Sequence, residues 1–229
     1  MPTSAITHRL ATLTGACLLA LASTAASAAP VFGLYNTGMD DAGNLLSNHQ
    51  ADTHYSGSVY YQGHWVAIGA PELAMVSGYP VGTAWTGTDG LSSWLSYLPG
   101  GSAFVGYYDV KTSFDLSGYD LSTVSISGRC AVDNIGYGIL LNGVAVAGAN
   151  CGGFNGWGTT FTLDHDLLAG VNTLEFVYQN TGSQEGIRVE FPSLDGTLAG
   201  SHNVPEPASA ALVLTALAGL AAARRRAKA

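Results

Sequence analysis

The chain has 229 residues, of which 47% are apolar and only 10% are charged, and its formal net charge is −8. So large an apolar fraction excludes an intrinsically disordered chain. The acidic balance, with no lysine or arginine cluster outside the last six residues, excludes a basic nucleic-acid-binding protein. The middle of the chain has no long apolar run, which argues against a membrane protein with several spans.

Residues 1–28 have the features of a secretory signal peptide. Arg9 gives a weakly basic start, a run of small and apolar residues covers positions 10–22, and Ala26-Ser27-Ala28 fits the small-x-small cleavage pattern. We therefore expect cleavage after Ala28 and export of the rest. The alternatives are an ordinary helix and a lipoprotein signal. Cys17 precedes the apolar residues 18–21 rather than following them, which disfavours lipidation.

Residues 29–197 are predicted to form a single all-β domain. Between positions 30 and 202, the sequence has short runs in which apolar and polar residues alternate, and turn residues separate these runs. It has no stretch with a helical period. Such spacing predicts an antiparallel β-sandwich or barrel, of which we favour the sandwich. Asn142-Gly143 is a strong hairpin signal, and residues 69–101 are expected to form long loops. Strands are predicted at 31–35, 58–61, 65–68, 104–114, 124–132, 138–141, 144–147, 173–178 and 187–191.

Alternation within two of these strands assigns side chains to faces. In the run 124–132 the even positions, Cys130 among them, are predicted to face the core and Arg129 to face outward. In the run 187–191 the apolar residues alternate with Arg188 and Glu190, which are expected on the outer side.

Two cysteines, Cys130 and Cys151, remain after removal of the signal peptide. Because an even number of cysteines in an oxidising compartment usually pairs, a disulfide bond between them is predicted. Two cysteines alone do not make a structural zinc site, because such a site needs four ligands.

Trp157 is the leading candidate for a carbohydrate-binding residue. It lies in a loop rich in glycine that also carries Asn150 and Asn155, so an aromatic face and amide groups come close together in the chain. The alternative is that Trp157 packs in the core or against the loop, and both interpretations stay open. Trp65 is expected in the core, and the positions of Trp85 and Trp94 are left open.

Metal and catalytic candidates are few. Asp133 and Asn134 follow a predicted strand and could supply oxygen ligands to calcium; the alternative is an Asx-type turn in which one of them bonds its own backbone. We expect no other cofactor. Asp164-His165-Asp166 is expected to be a solvated turn, and the sequence has no G-x-S-x-G, H-E-x-x-H or P-loop motif. We therefore expect a protein that is not an enzyme, the alternative being a secreted hydrolase with an unrecognised site.

The C-terminal residues 204–229 follow a polar linker at 198–203 and have three parts. Pro205-Glu206-Pro207 comes first, an apolar run covers 208–223, and the cluster Arg224, Arg225 and Arg226 follows. The run is slightly shorter than the roughly 20 residues of a spanning helix, and the arginines would hold the C-terminus on the cytoplasmic side. A transient membrane tether at 208–223 is therefore predicted.

This tail resembles the PEP-CTERM sorting signal of Gram-negative bacteria. The resemblance implies processing by an exosortase and delivery to the cell surface or to a biofilm matrix rich in polysaccharide. The body resembles the galactose-binding-like jelly rolls of such surface proteins, through Leu141-Asn142-Gly143 and the run 168–177. Weak carbohydrate binding is the function implied; a purely structural or adhesive surface protein without a ligand is the alternative.

Overall fold

The computed structural model describes residues 33–68, 73–101 and 103–196, and these form an all-β domain of eleven strands. The predicted all-β class with antiparallel sheets is confirmed. The predicted signal peptide, linker and sorting tail lie outside the described residues. The strands are β1 Ser56–Tyr61, β2 His64–Ala67, β3 Leu73–Met75, β4 Trp94–Ser96, β5 Gly106–Asp115, β6 Ser125–Asp133, β7 Ile135–Leu141, β8 Val144–Ala145, β9 Phe161–Leu163, β10 Val171–Asn180 and β11 Gly186–Asp195.

The strands form two antiparallel sheets that pack as a sandwich. One sheet has six strands in the order β2-β1-β5-β10-β7-β8, and the other has five in the order β3-β4-β11-β6-β9. The core lies between them and draws on alternate residues of both. From the first sheet come Tyr108, Val110, Leu174 and Phe176, and from the second Ile126, Val132, Ile187 and Val189. In the part of the chain that the structure describes, no helix has the length and apolar character needed to cross a membrane.

Two hairpins shape the six-stranded sheet. The predicted turn at Asn142-Gly143 joins β7 to β8, with φ of 53° and 80°. Gln62-Gly63 joins β1 to β2 in the same way, with φ of 49° and 87°. Two successive residues with positive φ match the right-handed twist of the paired strands, which is why asparagine and glycine suit these positions.

The predicted disulfide is confirmed. Cys130 faces the core from β6, as the alternation predicted, and its Sγ lies 2.08 Å from that of Cys151. Gly152 and Gly158 both donate their N–H groups to the Cys130 carbonyl, at 3.0 and 2.9 Å. The loop at 150–158 therefore continues the sheet edge beyond β9.

Three predictions about the first half need correction. Residues 34–36 belong to no strand. The segment 69–101 is not made of loops alone, because it contains β3 and β4, and β4 pairs with the centre of the second sheet through Leu95 and Ile187. Trp65 is not in the core: it lies on β2, a strand at the sheet edge, and 45% of its surface is exposed.

Arg188 and Glu190 do point away from the core, but they are not on the surface. They are only 2% and 3% exposed, because two loops cover the outer side of the five-stranded sheet. A second apolar cluster forms under these loops from Met75, Val81, Trp85, Trp94 and Ala131, with Phe154 and Trp157 packed against it. We call this side the covered face. The outer side of the six-stranded sheet, which no second layer of described residues covers, is the open face.

Candidate functional site

The open face carries a row of exposed aromatic side chains that crosses the six-stranded sheet. Trp65 on β2 lies opposite Tyr60 on β1, and the register that pairs Val59 with Tyr108 places Tyr60 beside Tyr107 on β5. Tyr107 lies opposite Gln179 on β10, and Tyr137 on β7 contacts both. Trp65, Tyr60, Tyr107 and Tyr137, with the amide of Gln179, form what we call the aromatic row.

The aromatic row is fixed by contacts among its own members. Tyr60 and Trp65 meet edge to face with centroids 5.4 Å apart, and Tyr107 and Tyr137 do so at 5.2 Å. The Tyr137 hydroxyl donates to Gln179 Oε1 at 3.1 Å. The four rings nevertheless remain 36–55% exposed. Because neighbouring strands lie about 4.8 Å apart, the row from β2 to β7 extends over about 19 Å.

The next row across the same face has mostly short side chains. Register aligns Ala67, Ser58, Asp109, Val177 and Gly138 across five strands. A Cβ placed on Gly138 would meet no atom within 4 Å, so the surface above it is open. These short side chains form a shallow strip beside the aromatic row, which we call the low strip.

A third row adds charge on the far side of this strip. Lys111 on β5 lies opposite Glu175 on β10, and its Nζ lies 3.1 Å from Glu175 Oε1 and 2.9 Å from Asp109 Oδ2. Burial raises the pKa of the Asp109 carboxyl, and the contact with Lys111 offsets part of that shift. Burial lowers the pKa of Lys111, but its two carboxylate partners outweigh this and raise the pKa above its ordinary value. The lysine is therefore held as a cation between two acids.

This arrangement suits a ligand with both an apolar face and polar groups. The faces of tyrosine and tryptophan rings carry partial negative charge and attract C–H groups. Gln179, Lys111 and Glu175 supply hydrogen-bonding groups beside them. An exposed apolar strip rimmed by polar side chains typically marks a binding surface.

The three predicted ligand residues of the 150–158 loop lie elsewhere. Trp157 packs against the covered face, where the guanidinium carbons of Arg129 and Arg188 lie 4.4 and 4.8 Å from its ring centroid. Asn155 is exposed. The side chain of Asn150 lies close against Gly136 on β7, so it and Trp157 contact different sheets.

The arginines around Trp157 belong to a closed polar network. Arg188 donates to Ser92 Oγ, Asp89 Oδ1 and the Gly87 carbonyl at 2.6–2.7 Å. Glu190 accepts from Arg188, from the Ser92 hydroxyl and from Arg129. These contacts attach the covering loop to the sheet, so they indicate a structural role for this cluster.

Asp133 and Asn134 point to different partners. Asp133 Oδ2 accepts from the Trp85 indole at 2.7 Å, while its Oδ1 is buried with no hydrogen-bond partner among the described residues. Burial raises the pKa of this carboxyl, and the Trp85 bond offsets part of the shift. Asn134 Oδ1 instead accepts from the backbone and hydroxyl of Thr181. Neither side chain bonds its own backbone, and residues 33–68, 73–101 and 103–196 contain no group of three or more His, Cys, Asp or Glu arranged to hold a metal.

His54 forms a cluster that the sequence did not indicate. Its Nδ1 lies 3.1 Å from Asp52 Oδ1, its Nε2 lies 2.9 Å from Asp41 Oδ1, and its ring stacks on Tyr35 at 3.7 Å. The buried Asp52 also accepts from the Gly38 N–H at 2.7 Å. Both ring nitrogens are engaged, so the cluster ties the N-terminal loop together rather than offering a ligand site.

Comparisons with known proteins give no family. No family model and no curated protein matches the chain. Among solved structures, the chain is similar to a Paenibacillus sp. cycloisomaltooligosaccharide glucanotransferase complexed with cycloisomaltoheptaose, with 14% identity and a TM-score of 0.30. The match covers 72% of this chain but only 19% of that one, so the chain spans about a fifth of the length of the enzyme that it matches.

Proposed function

We propose that this protein is an exported carbohydrate-binding β-sandwich that holds a polysaccharide on its open face. The observation that carries the proposal is the aromatic row, in which four rings in register stay 36–55% exposed on a sheet. Large aromatic side chains are usually buried, and an exposed row is therefore an informative exception. Its length of about 19 Å gives room for several successive sugar rings.

The rest of the proposal concerns where the protein acts. The signal peptide and the tail at 204–229 support export, exosortase processing, and delivery to the surface or extracellular matrix of a Gram-negative bacterium. In finer detail, we propose that the sandwich is a galactose-binding-like jelly roll. A binding role without catalysis suits an open, flat site, because such a site does not enclose a substrate away from water.

The test is carbohydrate binding by the purified protein and by variants of the aromatic row. After a glycan array has identified a ligand, Trp65→Ala and Tyr107→Ala should each weaken its binding about 5- to 30-fold, which corresponds to a loss of about 1–2 kcal/mol. Melting temperatures should change little, because both side chains are exposed. Tyr79→Ala is the matched control: Tyr79 is also exposed but lies in a loop, away from the row.

A second candidate function is adhesion to another protein. It is favoured by an apolar groove of about 370 Å³ at the β1–β2 edge, lined by residues that include Tyr61, Val66, Phe104 and Val105. If the array shows no ligand, or if row variants bind carbohydrate as well as Tyr79→Ala does, carbohydrate binding at the open face is wrong and adhesion becomes the better proposal.

A further inference from the structure

We propose that β2, at the edge of the six-stranded sheet, is a self-association site at which a second copy of this chain pairs with it, β2 against β2. The inference goes beyond carbohydrate binding and is independent of it, because it concerns how copies of the chain associate. Its basis is an unprotected strand edge beside an apolar groove, in a part of the domain that carries no charged side chain.

β2 is an edge strand that lacks the usual protection. It pairs with β1 alone among the described strands, and all four of its residues are exposed. Sheet edges are normally blocked by lysine, proline, a bulge or a covering segment. His64–Ala67 contains no lysine or proline and pairs with β1 without a bulge. The other edges that the structure describes differ, because β8 has two residues, Ala51 bridges β3, and the 150–158 loop continues the edge beyond β9.

The register with β1 shows which backbone groups of β2 point outward. Ile68 donates its N–H to the Gly57 carbonyl at 2.8 Å. Bonded and non-bonded pairs alternate along an antiparallel ladder, so Val66 also bonds to β1, while Trp65 and Ala67 direct their N–H and C=O groups away from it. An antiparallel second copy centred on Val66 sets Trp65 of each copy opposite Ala67 of the other, where they exchange hydrogen bonds. The edge is thus self-complementary about a two-fold axis, the commonest symmetry of protein dimers.

Apolar side chains surround this edge. Val66 lies opposite Val59, and both line the groove of about 370 Å³. Phe104 and Val105 also line it and are 64% and 66% exposed. Exposed apolar side chains that cluster in this way mark an interaction surface. We use the name edge patch for Tyr61, Trp65, Val66, Phe104 and Val105.

The edge patch lies in a part of the domain without charged side chains. Residues 53–71 and 90–108, which hold β1, β2 and the groove-lining residues, contain no Asp, Glu, Lys or Arg. Residues 29–203 as a whole contain 15 acids and 3 bases, a net charge of −12, so two copies repel each other in most orientations. Contact through the edge patch keeps these like charges apart. A charged partner finds no complementary group here, whereas the same neutral edge of a second copy matches it.

The exposed area is sufficient for a weak dimer. Tyr61, Trp65 and Phe104 are 56%, 45% and 64% exposed, which leaves about 100 Å² open on each ring. With the two valines, each copy offers about 400–500 Å², so a dimer buries about 1,000 Å² in total once the backbone of the edge is included. That area lies at the lower limit for a specific interface, and we therefore expect a dissociation constant in the micromolar range.

The experiment is sedimentation equilibrium of the purified protein at about 1–100 µM, with paired variants at the two edges of one sheet. The unaltered protein should show a monomer–dimer equilibrium. Val66→Lys should raise the dissociation constant at least about tenfold, because it places two like charges face to face at the axis. Val144→Lys is the matched control and should leave the equilibrium unchanged, since Val144 is an exposed valine on β8, at the opposite edge of the same sheet.

A cross-link tests the register of the two copies. Val66 faces Val66 of the second copy in a non-bonded pair, where Cα atoms lie about 4.5 Å apart, within reach of a disulfide. Val66→Cys should therefore give a covalent dimer on a non-reducing gel, and Val144→Cys should not. The cysteine variants decide the question alone if Val66→Lys fails to fold.

Each outcome supports or overturns self-association at β2. A monomer at about 100 µM overturns it, as does a dimer that Val66→Lys leaves unchanged or that Val144→Lys weakens equally. Absence of a covalent dimer from Val66→Cys overturns it too. A monomer that binds carbohydrate through Trp65 and Tyr107 refutes self-association and leaves the proposed function standing, with the groove free for a different protein. A β2-paired dimer that binds no carbohydrate has the reverse meaning.

Discussion

Glu185 is expected to make the stability of the sandwich depend on pH. It lies fully buried just before β11, where Tyr178 donates its hydroxyl to Oε1. Ser96 Oγ and the Tyr97 N–H donate to Oε2 at 3.2 and 3.1 Å. Burial outweighs these donors and raises the pKa of the carboxyl from 4.5 to about 7.

The direction of the effect follows from proton binding. Between pH 4.5 and about 7 the folded protein keeps a proton on Glu185 that the unfolded chain has released. Stability from this group is therefore fully present below pH 4.5 and is lost as the pH rises towards 7. At 1.36 kcal/mol per pH unit, the total is about 3 kcal/mol, or a fall in melting temperature of about 6–12 °C.

The assay is thermal or denaturant unfolding of the protein and of Glu185→Gln from pH 4 to 8. Glutamine stays neutral, but the NH2 group that replaces Oε2 cannot accept the Tyr97 N–H, so the substitution should cost about 1 kcal/mol at low pH. Above pH 7 the variant should be the more stable of the two. Asp52, Asp109 and Asp133 also have raised pKa values, so only the difference between the two curves measures Glu185. Parallel curves across this range would refute the assignment.

Three further outcomes are expected. Replacing Cys130 and Cys151 together by serine removes a cross-link over 21 residues and should lower the free energy of unfolding by about 3 kcal/mol, measured by denaturant unfolding. Mass spectrometry without reduction should show the two cysteines joined. A variant as stable as the unaltered protein would contradict this prediction. Trp157→Ala should lower the melting temperature by about 6–12 °C through a loss of about 3 kcal/mol of packing, and a stable variant that has lost carbohydrate binding would restore Trp157 as a ligand residue. Neutral residues in place of Arg224–Arg226 should block processing of the tail, and release of a processed form at the normal level would count against the sorting proposal.

The main strands of the second half, β6, β10 and β11, could be predicted from sequence because they are long and regular. Alternation in β6 and β10 identified the buried residues Cys130, Leu174 and Phe176, and Asn142-Gly143 identified a hairpin. The strands of the first half were harder to predict. Strands β3 and β4 have three residues each, which is too short for a period of two to be distinguished from a loop.

The difference between the covered face and the open face explains why the burial of outward-pointing side chains could not be predicted from sequence. Arg188 and Trp65 both point outward from a strand, as alternation requires. Arg188 is buried because the loops at 76–93 and 150–158 lie over its sheet, whereas Trp65 is exposed because no described segment lies over the other sheet. A period of two identifies the side of a sheet, but it carries no information about a second layer that comes from distant parts of the chain.

The cover over each sheet also supports the proposed binding surface. Trp85, Trp94 and Trp157 lie on the covered face, and their indole groups are used in packing, in the bond to Asp133 and in contacts with arginine. The rings of Trp65 and Tyr107 contact neighbouring tyrosines of the aromatic row but stay 45% and 36% exposed. A signal for this face is present in the sequence, since Tyr60 and Tyr107 occupy the outward positions next to the inward Val59 and Tyr108. Aromatic residues at outward positions of neighbouring strands therefore indicate a binding face only once the cover over each sheet is known, and here that cover protects one sheet and leaves the other open to a ligand.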